Sequence, residues 1–450
     1  MNRKSTSIIT GVACVLAVLA LGMVSCNATD PPDEPETEQE MPAAPEDQPG
    51  GEPETPALPE KDPEKKEEGF MPLDDTARQV VAAHNATGWQ LYRALREEGK
   101  NLVISPWSIG AAMAMARAGA RGETETEMAN VLNLDLPREQ LNDAQPALTS
   151  CLNRFEEVEA IQLNTANGLC LTLEGHMVSD AYKTLLQEKY DAELFQAQDV
   201  GPINAWVADK TNGKIEKLLD RLSPLSVCVL LNAVYFKGLW AEQFDAEQTR
   251  DAPFHLTAEK SVTVPMMNQR ADFVVTKLEG ARAIRLPYKD ESLALVVILP
   301  DEIGGLDAIE EKLTPDVLSQ TLDELNTGTA GKVIISLPRF KVESDAGLIE
   351  PFQALGMQLA FSSERANFGG VIGREDAQGI VWISQIKHKA MIEVNEEGSE
   401  AAAATAVEMR MTGMPVEPER FIADRPFLFL LTDRVTGAVL CLGRVVNPAT

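Results

Sequence analysis

Apolar residues recur at helical spacing between positions 74 and 96, where Val80, Val81, Trp89, Leu91, Tyr92 and Leu95 predict an amphipathic helix that stops at Gly99. A second helix is expected over 107–118, with Ser105 as its N-cap and Pro106 at the first helical position. Its Ala and Met content suits a tightly buried place. Runs of apolar and β-branched residues predict strands at 227–235, 293–299, 332–337, 382–393, 427–431 and 437–446. Helices and strands do not alternate regularly, so the pattern predicts an α+β arrangement with large mixed sheets rather than a doubly wound one. No internal repeat is visible.

One stretch fits two patterns. From Glu396 and Glu397 the chain runs through Gly398 into Ser399, Glu400, Ala401, Ala402, Ala403, Ala404, Thr405, Ala406, Val407, Glu408, Met409, Arg410, Met411, Thr412 and Gly413. Read at period two, the odd positions from Ser399 to Met409 are small or apolar and never charged, while Glu400, Glu408 and Arg410 fall on the other face. Alanine also favours helix, by up to ~0.7 kcal/mol per residue over poor helix formers. Loop, helix and inserted strand all remain open to it, with Gly398 as a hinge.

The ends and the composition narrow the class. Arg3 and Lys4 precede an apolar stretch at 8–24, which reads as an export signal. The stretch ends in Leu21-Gly22-Met23-Val24-Ser25-Cys26, similar to a bacterial lipobox in which Cys26 is lipidated; cleavage near Ser25 without lipid is the alternative. Residues 30–70 hold ten prolines and fifteen acidic residues against Lys61, Lys65 and Lys66. Such a segment cannot bury enough surface to offset its ordering entropy, so a solvated, extended spacer is expected. It supplies twelve of the chain's net 29 negative charges. That acidity argues against nucleic acid. Four histidines lie scattered without metal-ligand spacing, and CxxC, HExxH, GxSxG, GxGxxG and P-loop patterns are absent. No cofactor, no metal and no catalytic constellation are therefore expected. Beyond Cys14 and Cys26, four cysteines remain. Cys170, Cys228 and Cys441 sit in apolar runs, and with Cys151 they are expected as thiols, although export leaves room for one bridge.

Five motifs carry a family resemblance. The hinge run Glu397-Gly398-Ser399-Glu400-Ala401-Ala402-Ala403-Ala404 resembles the reactive-loop hinge of the serpins. Phe421-Ile422-Ala423-Asp424-Arg425-Pro426-Phe427-Leu428-Phe429 is similar to that family's C-terminal signature. Asn101-Leu102-Val103-Ile104-Ser105-Pro106-Trp107-Ser108-Ile109 resembles the start of its second helix. Asn232-Ala233-Val234-Tyr235-Phe236-Lys237-Gly238-Leu239-Trp240 and Ile334-Ile335-Ser336-Leu337-Pro338-Arg339-Phe340 resemble two of its strands.

The resemblance implies a serpin fold: one large α+β domain with three β-sheets, eight or nine helices and an exposed reactive-centre loop. The expected layout is a lipoprotein signal peptide at 1–26, an acidic linker at 27–72 and the serpin domain at 73–450. It also implies a monomeric inhibitor, not an enzyme. Serine peptidases are the expected targets, with cysteine peptidases as a further class. The mechanism is suicide cleavage followed by insertion of the loop as a strand. Insertion demands small, uncharged side chains on the buried face, because a buried unpaired charge costs several kcal/mol; the parity from Ser399 to Val407 meets that demand. Ser105, Ser108, Asn232 and His388 match the family's shutter cluster, and Trp240 matches the tryptophan where insertion begins. Counting fourteen residues past Gly398 sets the reactive bond at Thr412-Gly413, with Met411 and Arg410 as alternatives. The helix expected over 138–159 is acidic, so no heparin site is expected. Membrane contact would come through the lipid on Cys26, at the outer membrane or cell surface. A non-inhibitory, chaperone-like or binding lipoprotein of the same fold is the alternative function.

Overall fold

Asp74 caps the first helix: its carboxylate accepts from the Ala77 N–H at 2.7 Å and satisfies one of the donors that a helix start leaves unpaired. The computed structural model describes residues 73–155, 158–171, 178–195, 199–222, 228–398 and 417–450. In chain order these hold α1 (Asp75–Leu95), β1 (Leu102–Ile104), α2 (Pro106–Gly119), α3 (Gly122–Val131), α4 (Arg138–Asn153), β2 (Ile161–Leu171), α5 (Asp180–Tyr190), β3 (Glu193–Phe195), α6 (Gly201–Lys210), β4 (Cys228–Gly238), β5 (Arg250–His255), β6 (Ser261–Leu278) and β7 (Ala281–Pro287). There follow β8 (Leu293–Pro300), α7 (Leu306–Lys312), α8 (Pro315–Thr327), β9 (Gly331–Pro338), β10 (Phe340–Gly347), α9 (Ile349–Ala354), β11 (Ile383–Val394), β12 (Glu419–Ile422), β13 (Phe427–Asp433) and β14 (Val439–Val445). Cys26, the 27–72 segment, Ser399 through Ala404, and Arg410, Met411, Thr412 and Gly413 lie outside the described residues.

The α2 start matches its prediction: Ser105 accepts from the Ser108 N–H at 3.2 Å, and Pro106 occupies the first turn. Every residue of α2 except Ala111 is buried. The helix touches β14, β2 and β4. Helix α1 ends at Leu95, short of Gly99, because Arg96 leaves it to pair with Glu310 at 2.5 Å. Helix α4 ends at Asn153 rather than near 159. Just beyond it, Arg154 turns to bond Asp433 at 2.6 Å.

Five strands, in the order β10-β11-β4-β2-β3, make one sheet. The other nine form two sheets that share β6. Residues 266–273 of β6 pair with β9, 261–266 with β5, and 274–278 with β7. One long strand thus passes from one sheet into the next, giving three sheets and an α+β fold with nine α-helices among the described residues. The central strand β4 is buried along almost its whole length, as the continuous apolar run requires of a strand covered on both faces. It pairs antiparallel with β2 and parallel with β11. Cys151, Cys228 and Cys441 are free buried thiols, and burial pushes Cys151 and Cys441 up to about 12. Cys170 is buried as well.

A buried charge cluster ties the helices to the sheets. Glu310 on α7 is fully buried; it accepts from Tyr92 and Arg96 and from Arg444 at 3.1 Å. Removing one partner of such a cluster strands the others. Glu310→Ala leaves the buried Arg444 with only Asp307 at 3.3 Å and is expected to cost about 3–5 kcal/mol, read as a lowered denaturant midpoint. Adding Arg444→Met should recover part of that loss. A single variant with the native midpoint would refute the assignment.

Candidate functional site

Parallel pairing between β11 and β4 puts His388 directly beside Asn232, and the antiparallel pairing of β4 with β2 puts Asn232 beside Asn167. The three side chains form a polar row across three strands, on the sheet face that meets the start of α2. His388 is fully buried. Its Nε2 accepts from the Ser105 backbone N–H at 3.1 Å, so the ring proton sits on Nδ1, which donates to the Asn232 Oδ1. Asn232 Nδ2 donates to the Asn167 Oδ1 at 2.5 Å, and the Ser108 hydroxyl donates to the same oxygen at 3.3 Å. Burial pushes His388 down to about 3, holding the ring neutral. Ser105, Ser108, Asn232 and His388, singled out in the sequence, meet here. Asn167 was not singled out. Strand β2 also carries Gln162, Asn164 and Thr165, so only the register identifies Asn167 and its partner.

Trp240 lies elsewhere, at the far end of the β4–β11 pair, seven residues or ~23 Å along β11 from His388. Its indole N–H donates to the Asn395 carbonyl at 2.8 Å, and its ring stacks on Tyr288 with centroids 4.4 Å apart. The backbone N–H groups of Trp240 and Phe244 donate to the carbonyls of Glu397 and Glu396 at 3.2 and 2.9 Å. Gly398 follows at φ +75°, where a Cβ would lie 2.1 Å from the Gly238 carbonyl oxygen. Only glycine fits that position.

Beneath this turn the Glu396 carboxylate, 4% exposed, is held by Arg339 at 2.5–2.6 Å and by the Thr249 hydroxyl. Burial by itself would raise this carboxyl. The hydrogen bonds from Arg339 and Thr249 overcome that and keep it below the ordinary carboxylate range. Sequence reading missed the pair, since nothing in the chain links positions 57 residues apart.

Chemically the arrangement lacks a nucleophile with its base. It is a latch: a polar row across the middle of the β4–β11 seam, and a tryptophan-carboxylate clasp at one end of it.

The neutral histidine fixes a sign. Unfolded, His388 titrates near 6.5; folded, near 3. Between those values only the unfolded chain binds the proton, so stability falls as pH drops below about 6.5, by up to ~1.4 kcal/mol per pH unit. His84, pushed down to about 4 by burial, contributes in the same direction. His388→Gln is therefore expected to flatten the fall in denaturant midpoint between pH 6.5 and 4 by about half, leaving the part due to His84. An unchanged slope would show that His388 is not held neutral.

Comparison with known proteins agrees with this architecture. The family model for serpins (serine protease inhibitors) matches residues 82–448. The leukocyte elastase inhibitor of Bos taurus is 35% identical over 392 residues, spanning 82% of this chain and all of the relative. Among solved structures, the native state of the thermophilic serpin tengpin superposes with a TM-score of 0.74 at 28% identity, over 84% of this chain and 96% of the other. Human thyroxine-binding globulin superposes at 0.71 and 26% identity, over 83% and 99% of the two chains. With the family model spanning most of its length, and its α+β, three-sheet fold shared with these structures, the chain belongs to the serpin family.

Proposed function

We propose that this serpin inhibits serine peptidases by a suicide route in which the segment after Gly398 is cleaved and enters the sheet between β11 and β4. One observation carries this reading: β4 and β11 are neighbours and parallel, with the hinge glycine four residues beyond the end of β11. A segment that folds back at Gly398 runs antiparallel to β11, and hence antiparallel to β4 as well. Insertion exchanges one parallel pairing for two antiparallel ones, which are slightly stronger per residue. The uncharged parity of Ser399, Ala401, Ala403, Thr405 and Val407 supports the same reading, because those side chains would face the core.

The chemistry belongs to the target. The peptidase serine attacks the Thr412 carbonyl, the bond to Gly413 breaks, the amine leaves with a proton, and the acyl-enzyme forms. Thr412 or Met411 before the cleaved bond suits elastase-like or subtilisin-like peptidases. Arg410 offers a second site for trypsin-like ones, two residues earlier and ~6.6 Å shorter in travel. The leukocyte elastase inhibitor relative accords with the first preference. Lipidation of Cys26, with 27–72 as a spacer, would display the inhibitor at the outer membrane or cell surface. A second reading, binding without inhibition, draws on the thyroxine-binding globulin that shares the fold.

Incubation with a pancreatic elastase is expected to give a band of summed mass that survives denaturing electrophoresis, with a released peptide beginning at Gly413. A peptide beginning at Met411 would make the protein a trypsin-type inhibitor. Ser399→Arg should retain cleavage and lose the complex; full complex formation by that variant would overturn insertion, and no complex from the native chain favours the binder. For the anchor, Cys26→Ala is expected to leave the membrane fraction while still inhibiting. Retention in that fraction would remove the lipoprotein assignment.

A further inference from the structure

The chain ahead of Leu73 is acidic and polar, with one apolar island. Phe70 is the single aromatic residue between Asn27 and Pro72, and with Met71 it makes the one adjacent pair of large apolar side chains there. Leu73 itself is 4% exposed and belongs to the core. A solvated spacer has no use for such a pair, whereas burial against the domain would remove its apolar surface from water.

A place for it lies beside the first helix. A groove of about 450 Å³ runs between α1 and α8. Val81 and Trp89 line it from α1, Leu318 and Leu322 from α8, and Leu430 and Val439 form its floor. Hydrogen bonds hold this frame open. Asn85 donates to the Gly437 carbonyl and accepts from the Val439 N–H, both at 2.9 Å, which ties α1 to the floor. The Trp89 indole N–H donates to the Leu313 carbonyl at 3.1 Å, which ties α1 to the entry of α8. These polar groups are spent on each other, so the groove offers an occupant mainly apolar wall, the mark of an interaction site.

Reach and charge select the occupant. Arg78 is the lining residue nearest the start of α1 and lies ~7.5 Å from Leu73 at the helical rise. Phe70 precedes Leu73 by three residues, a span of up to ~10 Å when extended. A chain that turns back at Pro72 therefore brings Phe70 to the Arg78 end of the groove. Arg78 is exposed and has no ion pair among the described residues, while Asp316 and Asp323 stand exposed on the α8 rim. Lys65, Lys66, Glu67 and Glu68 come just ahead of the apolar pair, so the segment carries a partner for each rim.

We propose that the chain's own segment 67–71 docks in the α1–α8 groove, with Phe70 and Met71 against its apolar walls and Glu68 paired with Arg78. The acidic spacer then leaves the domain from the far side of this groove rather than from the tip of α1. The floor belongs to the β13–β14 sheet and not to the five-stranded sheet that the loop would enter, so docking is independent of inhibition.

The test is photocrosslinking in the full-length chain, with p-benzoylphenylalanine in place of Phe70 and the linked peptides located by mass spectrometry. The expected product is an intramolecular link to α8 or to the Leu430–Val439 floor, formed equally well on dilution. Ser319→Trp, which fills the groove from an exposed position on its rim, should lower the yield at least threefold. So should Glu68→Arg and Arg78→Glu singly, while the two together should restore it. Far-ultraviolet circular dichroism checks that each variant is folded, and the rim and charge-swap variants serve independently if one is not. Absence of a link, a link to a second copy, a link to another surface, or a yield that Ser319→Trp leaves unchanged would each overturn the proposal.

Discussion

The parallel pairing of β4 with β11 governs the rest of the molecule. Each strand has an antiparallel neighbour on its other side, β2 for β4 and β10 for β11. The seam between them is thus the long parallel pairing of the five-stranded sheet, the other being the three-residue contact of β2 with β3. What reinforces it is side-chain chemistry rather than backbone. The Asn232–His388 bond spans the seam, and α2 braces it from below through Ser105 and Ser108. A charged histidine could not accept from Ser105, so the brace depends on the neutral ring that burial enforces. At the far end the same seam is clasped by Trp240 on Asn395, while on the other side of β11 Arg339, next to β10, holds Glu396, an ionised carboxylate kept by its donors against the cost of burial. The seam is thus spanned at one point by a buried neutral row and at the other by a tryptophan, with the Arg339–Glu396 ion pair on the far side of β11.

These two points differ in how far the chain announces them. The positions of β4, β8 and β13 were legible because a strand covered on both faces must be continuously apolar, whereas the mixed runs of β2, β5, β6, β7 and β10 were not read as strands. The start of α2 was legible because Ser105-Pro106 satisfies a local need. Gly398 was legible as a position for glycine, and its positive φ and the closeness of the Gly238 carbonyl give the physical reason. Asn167, Arg339 and Thr249 were not legible. Their roles arise from register and from contacts across 57 to 147 residues, which no local pattern encodes. The helix ends at Leu95 and Asn153 were missed for a related reason: the residues that follow them, Arg96 and Arg154, pair with the distant carboxylates Glu310 and Asp433. Position 84 reads in the sequence as one more residue on a helix, and only the fold reveals an imidazole with both nitrogens unsatisfied.

Two of the buried carboxylates, Glu310 and Glu396, sit in contrasting surroundings. Glu310 is surrounded by Tyr92, Arg96 and Arg444 and lies deep among the helices, whereas Glu396 sits just ahead of the hinge glycine with one guanidinium and one hydroxyl. Three donors, two at the end of α1 and one on β14, make the first a fixed anchor. The second relies mainly on Arg339, whose side chain is 45% exposed and within reach of water. The chain therefore keeps its rigid charge cluster remote from the seam and its more yielding one beside it.

The seam also has a consequence for synthesis. Asn232 and His388 are neighbours in the sheet but 156 residues apart in the chain. On a ribosome adding about 5–20 residues per second, β4 emerges roughly 8–30 s before the strand that completes its second edge. During that interval β4 can pair with β2, already made, while its other edge stands open as a template for any extended segment nearby. A nascent chain of this design needs either fast collapse around β2 and β4 or a chaperone at that edge, and the sequence distance between two hydrogen-bonded side chains sets how long the exposure lasts.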